Sequence, residues 1–286
     1  NILQAAAWMM GAVVSFSCMA VGGRSVSFEL DTFEIMMFRS FVGFIVVAGF
    51  AKMLGTLSEV KYDRLGTHAL RNVFHFAGQN LWFYALTLIP LAQVVALEFT
   101  SPLWVLVLSP LFLGERLTRV RVIAAICGFV GVLIVARPSP ETISVGMISA
   151  AIAAIGFAGT MILTKRLTRT QSLTCILFWM TAMQAVLGIV CAGYDGDIAV
   201  PSLPSVPWLV LIGLAGLCAH FCLTKALTLA PATVIVPVDF LRLPVIAIIG
   251  LTLYAEPLDI FVILGAIIIF GANYANICAE TRKTAA

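Results

Sequence analysis

Apolar residues fall into ten runs, at 2–22, 33–53, 69–88, 91–113, 121–136, 144–163, 173–192, 207–228, 232–253 and 259–278, with short polar breaks between them. A helix crossing a bilayer needs about 20 mostly apolar residues, so each run is predicted to be one membrane-spanning helix. Some breaks are very short, such as LIPLA at 88–92 and LAPA at 229–232, which predicts antiparallel neighbours stitched back and forth. The pattern predicts an all-α polytopic membrane protein.

Charge gives this bundle a direction. With ten spans both termini lie on one side, and that side holds Lys52, Lys61, Arg64, Arg71, Arg116, Arg119, Arg121, Lys165, Arg166, Arg169, Arg282 and Lys283. The other side holds Arg24 and Arg137, and its longest loop, at 194–207, has no Lys or Arg. Basic residues concentrate on the cytoplasmic side of membrane proteins, so both termini are predicted to be cytoplasmic. Composition agrees with a lipid solvent: 61% of residues are hydrophobic and 11% charged, where a soluble domain has about 25% charged. A net charge of +3 suggests no nucleic-acid partner. Seven cysteines without a CxxC, most within apolar runs, read as buried free thiols and not as disulfides or metal ligands. The first run lacks a basic leader and reads as a retained span, while Asn1 as first residue hints at a trimmed start.

One stretch is written twice. ALTLIPLAQVVALEF at 85–99 and ALTLAPATVIVPVDF at 226–240 share seven of fifteen positions at an offset of 141 residues. The same offset places Glu115 on Glu256, Phe16 on Phe157 and Arg24 on Lys165. Two homologous halves of five helices are therefore expected, divided as 1–139 and 140–286. A five-helix unit starts on one side and ends on the other, so the second half must be inverted. Inverted repeats are typical of secondary transporters that hold their substrate near midplane between the halves.

The stretch ALTLIPLAQVVALEFTSPLWVLVLSPLFLGERLTRVRVIAAICGFVGVLIV carries further marks: Ala85-Leu86 with Pro90, then Pro102, then Leu113-Gly114-Glu115. The second half has Ala226-Leu227 with Pro231, Pro244 and Leu253-Tyr254-Ala255-Glu256, its later proline one register on and its last element looser. These features resemble the EamA domain of the drug/metabolite transporter superfamily, over nearly the whole chain. Within it the sequence is most similar to the YddG-type bacterial exporters of aromatic amino acids. The resemblance implies ten helices as two inverted EamA repeats in a bacterial inner membrane, and amino-acid export by alternating access.

Ionisable residues inside spans are costly, about 2.5–3.5 kcal/mol each at a helix centre on insertion scales, so they face a protein interior or a cavity. On the third run His75 and Gln79 share a face that Trp82 and Phe83 continue, and the offset carries Gln79 onto His220. These residues, with Phe16 and Phe157, are expected on a cavity wall; Gln79 and His220 would equally serve as bonds between helices, and Asn80, on the adjoining face, fits that second role better. Glu98 and Asp239 lie about two turns into the fourth helix of each half, beside prolines that break helix hydrogen bonds. Asp239 has Arg242 three residues on, within pairing reach. Glu98 has Ser101 at the matching place, so it needs another partner, with Arg39 a candidate, or a proton. Arg39 has no basic counterpart, since its offset mate is Met180; for an amino-acid substrate an arginine would suit the α-carboxylate.

The candidate substrate-binding residues are thus Phe16, His75, Gln79, Trp82, Phe83, Glu98, Ser101, Phe157, His220, Asp239 and Arg242. No catalytic residue, metal ligand or cofactor is expected, and nothing matches a Walker loop or an HExxH motif, so the chain reads as a transporter and not an enzyme. The expected partners are a small-molecule substrate, an amino acid, and the lipid bilayer, with no obligate protein partner. The alternatives are export of another small metabolite or drug by the same superfamily, and a passive channel. A channel would need rings of pore-lining polar groups, where these are single and scattered.

Overall fold

The computed structural model describes residues 1–137, 144–256 and 260–285, all helices and connections with no strand among them. The helices are α1 (Ile2–Val26), α2 (Thr32–Met53), α3 (Leu65–Leu88), α4 (Leu91–Glu98), α5 (Ser101–Leu113), α6 (Arg119–Ala136), α7 (Val145–Leu167), α8 (Leu173–Ala192), α9 (Val206–Leu229), α10 (Ala232–Ile235), α11 (Arg242–Tyr254) and α12 (Ile260–Ala285). The expected division at 139/140 and the expected start of the last run at 259 fall outside the described residues.

Among the described residues six stretches are long and apolar enough to cross a membrane: α1, α2, the α4–α5 pair taken as one, α7, α8 and α9. The third, fifth, ninth and tenth expected spans are not among these six, and for the third and ninth the reason is physical. Helix α3 buries His68, Arg71, Asn72, His75, Gln79 and Asn80, polar groups that face other helices and lower its hydropathy. The ninth run is not one helix, because α10 gives way to a 3₁₀ segment, Val236–Leu241, before α11 begins.

The fourth run is also broken, between Glu98 and Ser101. Pro102 lacks an N–H and its ring excludes the carbonyl four residues back, which belongs to Glu98, so the helix restarts as α5. The broken helices therefore place Glu98 and Asp239 at interruptions, where backbone polar groups face protein and not lipid.

The elements repeat at the sequence offset. Helix α3 shifted by 141 residues has the bounds of α9, and α5 shifted likewise has the bounds of α11. Gly114 after α5 and Ala255 after α11 both adopt left-handed backbone, at φ 67° and 52°. Packing repeats too: α1 lies along α9 and α3 along α7, contacts that exchange when the halves are swapped, while α2 along α8 and α6 along α12 map onto themselves.

The α3–α7 contact is close because it is made by glycines. A Cβ at Gly156 would sit 2.9 Å from the Phe74 carbonyl oxygen and 3.0 Å from the Gly78 Cα. Backbone cannot yield as a flexible side chain does, so Gly156→Ala should destabilise the bundle by about 1–3 kcal/mol, read from unfolding midpoints in detergent.

The connections gather at two ends. At one, Glu29 accepts hydrogen bonds from the Ser202 backbone and from the hydroxyls of Ser202 and Ser205, which hold its carboxyl below its ordinary pKa. Glu34, in a capping box with Asp31, accepts from Ala199 N–H at the same end. At the other, Gln171 donates to Asp63 at 3.2 Å and Trp179 Nε1–H to the Lys61 carbonyl at 2.9 Å. Two reciprocal caps complete the picture. Glu256 accepts the first N–H of α4, from Leu91 at 3.2 Å, and pairs with Arg24 at 2.5 Å. Glu115 accepts the first N–H of α10, from Ala232 at 3.0 Å, while Lys165 donates to the Leu227 and Ala230 carbonyls beside it. A carboxylate on the free N–H groups of a helix start is favourable for both hydrogen bonding and the helix dipole.

Two expectations change here. Arg71, counted among the loop cations, is 1% exposed: α3 begins at Leu65, so Arg71 lies well inside the helix. The seven cysteines are free as expected, but only Cys175 and Cys222 are buried, and Cys218 is exposed on the bundle surface.

Candidate functional site

Where α1, α3, α7 and α9 meet the two broken helices, they enclose a small cavity of about 30 Å³. Its wall is Phe16, Met19, His75, Gln79, Trp82, Glu98, Phe157, Thr160, Met161, His220, Leu223, Asp239 and Arg242. Water needs roughly 10–15 Å³ of such space, so in this conformation the cavity accommodates no more than a few waters. A metabolite would require it to open.

The charged centre draws on both broken helices. Arg242 is held between two carboxylates, pairing with Asp239 one turn before it at 2.8 Å and with Glu98 of α4. Glu98 also accepts the Trp82 indole N–H at 2.7 Å. Arg242 lies over the rings of Phe16 and Phe99, at 5.1 and 5.2 Å. The partner of Glu98 is therefore Arg242 and not Arg39, because the break before Pro102 brings α4 against the second broken helix. All three charges are buried, which is tolerable only because each is paired.

A second feature is a pair of imidazoles. His75 and His220 meet edge to face with centroids 4.6 Å apart, and Phe16 and Phe157 flank them. His75 Nδ1, Gln79 Nε2, both nitrogens of His220, Asp239 Oδ1 and Arg242 Nε have no protein partner. Buried polar groups are nearly always bonded, so this many around one cavity marks a surface shaped for a polar guest.

Nine of the eleven expected residues line this cavity. Phe83 does not: it is turned against Gly23 of α1, where a Cβ would be 2.4 Å from its ring. Ser101 is buried at the start of α5, off the cavity. Asn80 does not join helices, since its amide bonds the Phe76 carbonyl of its own helix at 2.8 Å. Sequence reading left Met19, Thr160 and Leu223 out of the site. A signal for all three was present. The wall is nearly closed under the 141-residue offset, with Phe16 and Phe157, Met19 and Thr160, Gln79 and His220, Trp82 and Leu223, and Glu98 and Asp239 as mates.

A family model described as "EamA-like transporter family" matches the chain twice, over residues 3–137 and 144–277. The chain belongs to the EamA-like transporter family. It is similar to an S-adenosylmethionine uptake transporter of Rickettsia bellii, 30% identical over 275 residues, covering 96% of this chain and 94% of that one. It is also similar to a riboflavin transporter of Brucella anthropi, 33% identical over 218 residues, covering 75% of this chain and 77% of the other. A solved crystal structure with a TM-score of 0.77 covers 97% of this chain and 98% of its own at 16% identity, which shows a shared fold. This EamA-like chain is thus a multi-pass membrane transporter with bacterial relatives. Those relatives turn the substrate reading away from aromatic amino-acid export and towards the alternative, another small metabolite.

Proposed function

We propose that this transporter is a secondary carrier that takes up a small heteroaromatic metabolite bearing a positive charge, of the S-adenosylmethionine kind. The observation that carries the reading is the Glu98–Arg242–Asp239 cluster: two carboxylates share one guanidinium beside aromatic walls, an excess of one formal negative charge. A sulfonium or ammonium group suits that charge, and a flat ring suits Phe16, Trp82 and Phe157. The Rickettsia relative supports the same substrate class.

In this reading ten helices form two inverted five-helix halves in the inner membrane, with both termini cytoplasmic. The offset-matched helix bounds support the halves, and the grouping of loops at two ends supports the alternation. Substrate binds at the shared cavity, and the halves rock to expose it to one side at a time.

The Brucella relative favours a second reading, riboflavin, for which the unpartnered groups of His75, Gln79 and His220 would bond an uncharged heterocycle. Proteoliposome uptake of labelled S-adenosylmethionine, riboflavin and phenylalanine separates the readings. Saturable S-adenosylmethionine uptake is expected, falling about tenfold or more in Glu98→Gln through loss of one charge-assisted contact. Uptake of riboflavin alone, indifferent to Glu98→Gln, selects the second reading. Uptake of phenylalanine alone would restore the amino acid.

A further inference from the structure

Outside the Glu98–Arg242–Asp239 cluster, two more guanidiniums are buried. Arg39 on α2 is 7% exposed and Arg71 on α3 is 1% exposed. Arg71 is bonded by neutral groups, Thr164 Oγ1 at 3.0 Å and Asn72 Oδ1 at 3.2 Å. Arg39 has only a long contact to the Met36 sulfur, at 3.6 Å. Neither has an ion pair with a carboxylate among the described residues. The two are electrostatic neighbours, and both act on His75 and His220. Two uncompensated cations buried together are a poor arrangement for stability alone, because each loses hydration without gaining a counter-ion.

Arg39 also faces free space. With Ser40, His75, Thr181 and Gln184 it lines a second small cavity, and His75 lines both cavities. The guanidinium reaches that place because α9 offers no side chain there. A Cβ at Gly216 would be 2.6 Å from Arg39 Nη2. Gly216 is the offset mate of His75, Met180 that of Arg39, and Ser101 that of Arg242. Much of the wall obeys the repeat and sets the shape. His75, Arg39 and Arg242 break it: with Glu98 and Asp239 around Arg242 the first cavity carries two carboxylates to one guanidinium, the second carries Arg39, and His75 stands between the two.

We infer that Arg39, seated against Gly216 and facing the cavity beyond His75, is a subsite for the carboxylate of a dipolar substrate whose positive group lies towards Glu98 and Asp239. This deepens the proposed function and rests on it for the identity of the substrate. It also gives the transporter a way to tell a substrate with a carboxylate from an otherwise similar one without it. Guanidinium and carboxylate match as a two-point hydrogen-bonded pair, which lysine cannot reproduce.

The test is binding of S-adenosylmethionine and of its decarboxylated analogue to the full chain in nanodiscs, for wild type, Arg39→Gln, Arg39→Lys and Gly216→Ala. Wild type should prefer the carboxylated ligand by about tenfold. Arg39→Gln and Gly216→Ala should bring that ratio close to one while leaving affinity for the analogue unchanged, and Arg39→Lys should recover part of it. A ratio unchanged by Arg39→Gln, or an equal loss for both ligands, overturns the subsite. If neither adenosyl compound binds, the proposed substrate fails, and acetate titrated against chloride at matched ionic strength still decides about Arg39. Acetate raising the melting midpoint of wild type but not of Arg39→Gln upholds the subsite, and equal shifts overturn it. Should Arg39→Gln fail to fold, Arg39→Lys and Gly216→Ala carry the same comparison.

Discussion

Arg242→Met is expected to lower stability by about 3–5 kcal/mol and to abolish uptake. The substitution preserves much of the volume but leaves Glu98 and Asp239, both buried, without the cation they share. Two desolvated carboxylates then face each other in an apolar wall, where like charges repel strongly. The companion variant separates the charge from the packing. Replacing all three residues, as Glu98→Gln, Asp239→Asn and Arg242→Met together, removes the unpaired charges and should return most of the lost stability. That triple variant should still fail to transport. Unfolding midpoints in detergent and uptake in proteoliposomes, measured on the same preparations, check both halves of the expectation. If the single variant melts like wild type, Arg242 is not the counter-ion the geometry makes it.

Trp82→Ala is the second large effect. Trp82 is 1% exposed and joins the aromatic wall to the charge cluster through its hydrogen bond to Glu98. In soluble proteins removing a buried Phe or Trp ring costs about 3–5 kcal/mol, part of which is transfer of apolar atoms to water. A span that unfolds within lipid does not pay that part, so a value near the lower end, about 3 kcal/mol, is expected here. Trp82→Phe keeps most of the ring and loses the donor to Glu98, which predicts about 1–3 kcal/mol. The order wild type, Phe, Ala in melting midpoint is the result to look for; a Phe variant as unstable as Ala would mean that the hydrogen bond outweighs the packing.

The bundle was legible in the sequence because lipid imposes a length and a polarity on each span, and the repeated ALTL stretch gave the 141-residue offset at which helix bounds recur. The cavity wall was legible for a related reason. Polar residues in apolar runs have few places to go, and His75, Gln79, Glu98, His220, Asp239 and Arg242 all reach the same one. Pairings across the halves were not. Glu98 and Arg242 are 144 residues apart, and nothing local to Glu98 announces a cation. The repeat held the missing clue: Glu98 and Asp239 are offset mates, and the arginine that pairs with both lies one turn beyond Asp239. The burial of Arg71 was hidden by a different limit. Hydropathy places a helix start only to within a few residues, and four residues divide a loop cation from a buried one.

The two glutamate caps have a mechanical consequence. If two halves rock as proposed, Glu115 and Glu256, each holding the start of a helix in the other half, would act as stops at opposite ends of a lever. Tilting one half against the other would then strain one stop while the opposite one stays seated. Releasing a stop forfeits a helix cap and a partly exposed charge contact, together roughly 1–3 kcal/mol. Under that proposal a gap of that size would keep the tilted forms scarce yet thermally reachable, leaving a bound substrate only a small imbalance to overturn.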